Sequence, residues 1–213
     1  MRHINPIDQL ILQSDHALRT IFGSPALTER ENPSDNVCEY NDATDEERKL
    51  SAALMRVNHA GEVSAQALYQ GQALTARLEK VKQSMERAAL EENDHLAWTE
   101  QRLTELSSHK SILNPIWYSG SFAIGAVAGL LGDKWSLGFV AETEHQVIKH
   151  LDEHLEKLPK QDARSRAVLN QMKVDEAHHA TVAIEGGGAE LPWSVKKLMT
   201  AMSKVMTTSA YYV

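Results

Sequence analysis

A single cysteine, Cys38, leaves no partner for a disulfide within the chain, and it rules out a thiolate-rich zinc site. Any metal must therefore sit on carboxylate and imidazole. Positive charge is also short. Lys and Arg number 22 against 29 Asp and Glu, a formal net charge of −7, which excludes a nucleic-acid partner because neutralising phosphates takes a basic stripe. No secretory leader is visible, since Asn5, Pro6, Asp8 and Gln9 break up the apolar residues between Ile4 and Leu12. Asp8 and Asp15 likewise spoil a transit peptide, so a reducing, cytoplasmic setting is the expectation. Alternating β-type patterning is almost missing, and no dinucleotide-binding glycine fingerprint appears. The uncharged run 116–131, with Gly120, Gly125 and Gly129, would extend roughly 24 Å as a helix at about 1.5 Å per residue, short of the roughly 30 Å hydrocarbon core.

What is present is an ordinary globular composition, 42% apolar and 24% charged over 213 residues, enough for one domain with a real core. Residues 1–45 read as a lead-in. Ile7, Leu10, Ile11 and Leu18 suit a short amphipathic helix, and the Pro-, Asn-, Asp- and Ser-rich stretch from Gly23 to Asp45 reads as irregular. Residues 46–213 read as a helical bundle domain.

Four helices carry continuous inward stripes at the 3.6-residue period. The first, about 45–80, opens with Thr44 as N-cap and Glu47 completing a capping box, and its stripe is Leu54, Asn58, Glu62, Ala65 and Tyr69. The second, about 81–107, aligns Met85, Ala88, Glu92, His95, Thr99, Leu103 and Leu106. The third, 134–158, aligns Val140, Glu144, Val147, Leu151, Leu155 and Leu158 and stops before Pro159. The fourth, about 162–185, aligns Val168, Met172, Glu176, His179 and Ala183 and ends at three glycines, 186–188. A last helix after Pro192 sets Trp193, Val195, Leu198, Met199, Met202, Val205 and Met206 on one face and Lys196, Lys197 and Lys204 on the other. That pattern suits a membrane surface, the bland alternative being that it and the Gly-rich run only pack on the bundle.

The polar breaks in the stripes carry the chemistry. A carboxylate on a buried helix face costs several kcal/mol unless it is paired or bound to a cation. Each of the four stripes holds a glutamate, and two add a histidine three residues on, in Glu92-Asn93-Asp94-His95 and Glu176-Ala177-His178-His179. Positions i and i+3 share a helix face, so glutamate and imidazole can reach one ion. Single glutamates from two helices and Glu-x-x-His from two others make the dinuclear iron or manganese carboxylate arrangement. Thirty residues separate Glu62 from Glu92 and thirty-two separate Glu144 from Glu176, so the pattern repeats in both halves. Glu91, Asp175 and Glu142 compete for the same roles but fit the apolar stripes less well. His178, rotated about 100° from His179, is expected nearby but outside the ligand set. His59, His145, His150 and His154 are expected to be solvated or supporting residues, with His59 and His150 the leading exceptions.

At these residues a family resemblance becomes specific. Leu54-Met55-Arg56-Val57-Asn58-His59-Ala60-Gly61-Glu62 is similar to the first ligand motif of the Coq7 family, the demethoxyubiquinone hydroxylases of ubiquinone biosynthesis. Glu92-Asn93-Asp94-His95-Leu96 and Asp175-Glu176-Ala177-His178-His179 resemble its second and last motifs, and the likeness runs from about Leu50 through Thr208. It implies an all-α, ferritin-like four-helix bundle with added membrane-associating helices. Glu62, Glu92 and His95 would hold one iron and Glu144, Glu176 and His179 the other, with Glu92 and Glu176 bridging. It further implies O2 as co-substrate, a polyprenylated quinol as substrate, and peripheral attachment to the cytoplasmic face of the bacterial inner membrane. Self-association or a place in a biosynthetic assembly stays open. A ferritin-like iron store and a metal-free interaction bundle are the competing readings.

Overall fold

In the computed structural model the residues described are 6–23, 29–38 and 43–213. Among them the structure is all-α, with no strand. The helices are α1 (Pro6–Phe22), α2 (Asp45–Thr75), α3 (Glu79–Glu105), α4 (Asn114–Leu130), α5 (Asp133–Lys157), α6 (Ala163–Glu185) and α7 (Trp193–Tyr212). Helices α2, α3, α5 and α6 form a ferritin-like four-helix core, on which α4 and α7 are laid against α2. No described helix is long and apolar enough to cross a membrane. The expected N-terminal helix is present. Ile11 and Leu18 are exposed on it, while the side chains of Ile7 and Leu10 lie outside the described residues. Of the stretch expected to be irregular, residues 29–38 form turns and bends.

The elements end where local chemistry and one distant contact dictate. Thr44 accepts from the Glu47 backbone N–H at 3.2 Å and Glu47 accepts from the Thr44 N–H at 2.9 Å, so the capping box closes α2 at its start. Helix α2 stops at Thr75, short of the expected 80. The backbone N–H groups of Arg77 and Leu78 instead donate to Asp133 at 3.0 and 2.8 Å, tying the α2–α3 turn to the first residue of α5. That partner is 55 residues away in the chain, beyond the reach of local patterning.

Two glycines let the uncharged helix lie close. A Cβ on Gly71 would sit 2.3 Å from the Phe122 carbonyl oxygen, and one on Gly125 would sit 2.3 Å from that of Leu68. Helix α4 is thus pressed onto α2, with Ile116, Val127 and Leu130 left on its exposed side.

The core divides into two apolar layers. One joins Leu54, Met55, Trp98, Leu103, Leu151, Leu169 and Met172. The other joins Ala65, Tyr69, Met85, Leu137, Val140 and Ala183. Along every one of the four helices the residues between these layers are the glutamates and histidines singled out in the sequence.

Candidate metal centre

Between the layers, Glu62, Glu92, Glu144 and Glu176 are almost wholly buried, together with His95 and His179. Glu62, Glu92, His95 and Glu176 each bring one ligand atom within 4.8 Å of the others, and Glu144, Glu176 and His179 form a second such group. Glu176 belongs to both groups. Its two oxygens lie 3.2 Å from His95 Nδ1 and 3.1 Å from His179 Nδ1. Glu92 spans the same pair, 3.1 Å from His95 Nδ1 and 3.5 Å from His179 Nδ1. All six residues proposed from the sequence therefore meet at one place, with Glu92 and Glu176 lying between the two imidazoles.

The competitors are sorted by what they touch. Glu142 turns outward and pairs with Lys196 at 3.2 Å. Glu91 and Asp175 cross over: Glu91 Oε2 is 2.6 Å from His179 Nε2, and Asp175 Oδ2 is 2.9 Å from His95 Nε2. Each histidine thus directs Nδ1 to the buried glutamates and Nε2 to a carboxylate of the opposite motif. His178 is exposed, as is His145, so His178 does not support the site. His59 is buried with Nδ1 3.5 Å from the Asn114 side-chain amide, and the His150 and His154 rings lie 3.9 Å apart at a tilt of 55°. Sequence reasoning missed one supporting residue inside its own stripe: the Tyr69 hydroxyl donates a short hydrogen bond to Glu144 Oε1. It reads as core because tyrosine at an apolar position usually is.

The electrostatics follow from four carboxyls sharing a dry space. Burial, then repulsion from Glu176, pushes Glu92 and Glu144 well above the ordinary carboxylate range. Burial works against Glu176 as well, but hydrogen bonds from His179 and His95 outweigh it and hold its carboxyl far down. Burial also disfavours the charged imidazoles, yet Glu176 and Glu91 hold His179 up to about 11, and Glu92 and Asp175 keep His95 well above its usual value. Glu92 Oε1 and Glu144 Oε2 are buried without a hydrogen-bond partner. A buried carboxylate oxygen with no donor is expensive in a folded protein, and a divalent cation removes the cost. The donor set of hard oxygens with two imidazoles suits iron or manganese.

The centre opens onto an apolar cavity of about 440 Å³ bounded by α2, α4, α5 and α7. Glu62, Glu144 and Glu176 form its inner end, and Trp117, Phe139, Leu198 and Met202 are among its walls.

A family model described as ubiquinone biosynthesis protein COQ7 matches residues 49–210. A 3-demethoxyubiquinol 3-hydroxylase of Nitrosococcus oceani is 60% identical over 212 residues, covering 100% of this chain and 99% of that one. Proteins of the same name from Nitrosomonas eutropha and Acinetobacter baumannii are 58% and 57% identical, covering 97% and 100% of this chain and 99% and 100% of their own.

Proposed function

The chain belongs to the COQ7 family of ubiquinone biosynthesis proteins, and we propose on that premise that it is a di-iron monooxygenase, a 3-demethoxyubiquinol 3-hydroxylase using O2. The observation that carries this reading is the pair of buried Glu/His groups sharing Glu176 at the closed end of an apolar cavity. Glu62, Glu92 and His95 would hold one iron and Glu144, Glu176 and His179 the other, with Glu92 and Glu176 between them. The orphaned oxygens of Glu92 and Glu144 support occupancy by cations. Two irons there would supply the capacity to bind and reduce O2 and to place one oxygen atom on the substrate ring.

The protein's own share is positioning and exclusion of water. Glu144 is held by Tyr69, whose hydroxyl is kept protonated by burial next to Glu144, Glu92 and Glu176, so it remains a donor. The cavity wall is apolar except for a few polar atoms. Asn58 Oδ1, Trp117 Nε1 and His150 Nε2 are buried there without a protein partner. They can hydrogen-bond ring oxygens of a quinol while the isoprenoid tail lies along Leu198, Met199, Met202 and Met206. Because that tail keeps the substrate in a bilayer, the protein would work as a peripheral membrane enzyme. The exposed Ile116, Val127, Leu130, Trp193 and Val205 of α4 and α7 support this.

Complementation tests the reading. The gene, placed in a ubiquinone-requiring bacterial host lacking its own hydroxylase, is expected to replace accumulated demethoxyubiquinone with ubiquinone in lipid extracts. Unchanged accumulation, with the protein expressed and iron-loaded, would refute the assignment.

A further inference from the structure

The segment ahead of the bundle reaches the metal centre. Two consecutive residues reach the carboxylates that hold the histidines from behind, Arg30 by direct contact with Asp175 and Glu29 through Arg87 to Glu91. Arg30 Nη1 donates to Asp175 Oδ2 at 2.8 Å, the same oxygen that lies 2.9 Å from His95 Nε2. Arg30 is itself fixed. Its Nε donates to Asp94 Oδ2 at 2.7 Å, the Glu29 backbone N–H donates to Asp94 Oδ1 at 2.8 Å, and the guanidinium lies 4.9 Å over the Trp98 ring. Asp94 is fully enclosed, its side chain 1% exposed. On the other side, the Glu29 carboxylate accepts from Arg87 at 3.0 Å, and Arg87 Nε donates to Glu91 Oε1 at 2.8 Å. Glu91 Oε2 lies 2.6 Å from His179 Nε2.

We propose that residues 29 and 30 form a strap that orients both histidines, and that Arg30 is the positioning residue for His95, acting through Asp175. With a metal bound in place of the Nδ1 proton, Asp175, pinned by Arg30, would keep the other imidazole proton on His95 Nε2 and so aim the Nδ1 lone pair at an ion held among Glu62, Glu92 and Glu176. An imidazole in the wrong tautomer offers a metal no lone pair on that side. The two arms are unequal. The Arg30 arm runs through buried Asp94 and the mostly covered Asp175, where a charge-assisted pair is little screened. The Glu29–Arg87 arm is about half exposed on both partners, where such pairs contribute little. The metal position at His95 is therefore held more firmly from behind than that at His179, and it alone depends on Arg30.

This inference rests on the dinuclear reading, and one titration separates the two. Co(II) is added to the metal-free full-length protein, followed by calorimetry and visible absorption, with His95→Ala used to identify the step that belongs to His95. The wild type is expected to take up two Co(II); uptake of fewer would overturn the dinuclear reading itself. Arg30→Ala is expected to weaken the His95 step by about tenfold or more, the scale for lost outer partners of a ligand histidine, and to move the other step less than twofold. Arg30→Gln, which keeps a polar side chain but removes the guanidinium, is expected to show the same selective loss, with thermal melting of the metal-free protein confirming that both variants fold. Asp175→Asn is expected to match Arg30→Ala, and the double variant to bind no more weakly than Asp175→Asn alone. If both steps of Arg30→Ala and Arg30→Gln stay within twofold of wild type, or if the two losses multiply in the double variant, Arg30 does not act through Asp175 and the inference fails.

Discussion

His59 and His154 are buried and His150 is partly buried, and in each the cost of burial prevails, in His150 over the opposing pull of Glu153. Burial, reinforced by Lys110, depresses His59 to about 3. Burial takes His150 to about 4, and burial with His150 and Lys157 nearby takes His154 to about 2. Each folded value lies below the unfolded value near 6.5, so the unfolded chain binds more protons in the interval and stability is lost as the pH falls through it. From pH 6.5 to 5 each is expected to contribute a loss of about 1.6 kcal/mol, because the full slope of about 1.4 kcal/mol per pH unit is reached only below the unfolded value. Urea unfolding at both pH values checks this, since His154→Gln should reduce the wild-type loss by about that amount. A second residue-level prediction concerns Tyr69. Tyr69→Phe preserves the ring and removes only the donor to Glu144, so metal affinity at the Glu144 position is expected to fall about tenfold while the melting of the metal-free protein changes little. At this scale the sequence is legible wherever a residue's role is set by its own helix. Glu144 could be chosen over Glu142 because it continues the apolar stripe, and the structure turns Glu142 out to Lys196. The roles of Glu91 and Asp175 were not legible, because each serves the histidine of the other motif, a pairing that only the folded bundle creates.

The same division holds for whole elements. The starts of α2 and α6, capped by Thr44 and Asp162, and the inward faces of the four core helices follow from caps and periodicity, which are local properties of the chain. The early stop of α2 was not visible, because Asp133 ends it from a distance, and neither was the placing of residues 29–30 over the histidines, since nothing periodic marks that stretch. Helix α4 takes up the packing alternative on one side only. Its glycines press one side on α2, and its other side remains exposed. Gly125 makes that contact possible, for a methyl group there meets the Leu68 carbonyl of rigid helix backbone rather than a movable side chain. Gly125→Ala is accordingly expected to destabilise the protein by about 1–3 kcal/mol through forced separation of α2 and α4. Gly120→Ala, on the same helix with open space around its Cβ, should have no such cost. Parallel denaturant melts of the two variants distinguish close helix packing from a general loss of glycine flexibility.

Taken as a whole, the molecule carries a formal charge of −7, so an anionic lipid surface would repel most of it. Only a local face can dock, and its charge is smaller than the helix pattern suggests. Lys196 is engaged with Glu142 at 3.2 Å and Glu190 at 3.5 Å, while Lys197 lies 5.5 Å over the Trp193 ring. Under the proposed peripheral attachment, the attraction would come chiefly from apolar area. Trp193 and Val205 are 73% and 63% exposed, and neither lines the cavity, whereas Leu198 and Met202 of the same helix do both. Helix α7 cannot be removed cleanly to test this. The Tyr211 carbonyl accepts from buried Arg56 at 3.0 Å and Ala210 is fully enclosed, so truncation after Gly188 would open the core as well. The double variant Trp193→Ser, Val205→Ser alters the docking face alone. Burying one large apolar side chain contributes about 1.5–3 kcal/mol, so partitioning onto phosphatidylglycerol-containing vesicles is expected to fall by about tenfold or more. Metal uptake should be unchanged, because the substituted side chains face away from the cavity that leads to Glu62, Glu144 and Glu176. Co-sedimentation with vesicles reads the first quantity and Co(II) titration the second. Equal vesicle binding by variant and wild type would mean that the exposed apolar face of α7 is not what brings the cavity to the bilayer.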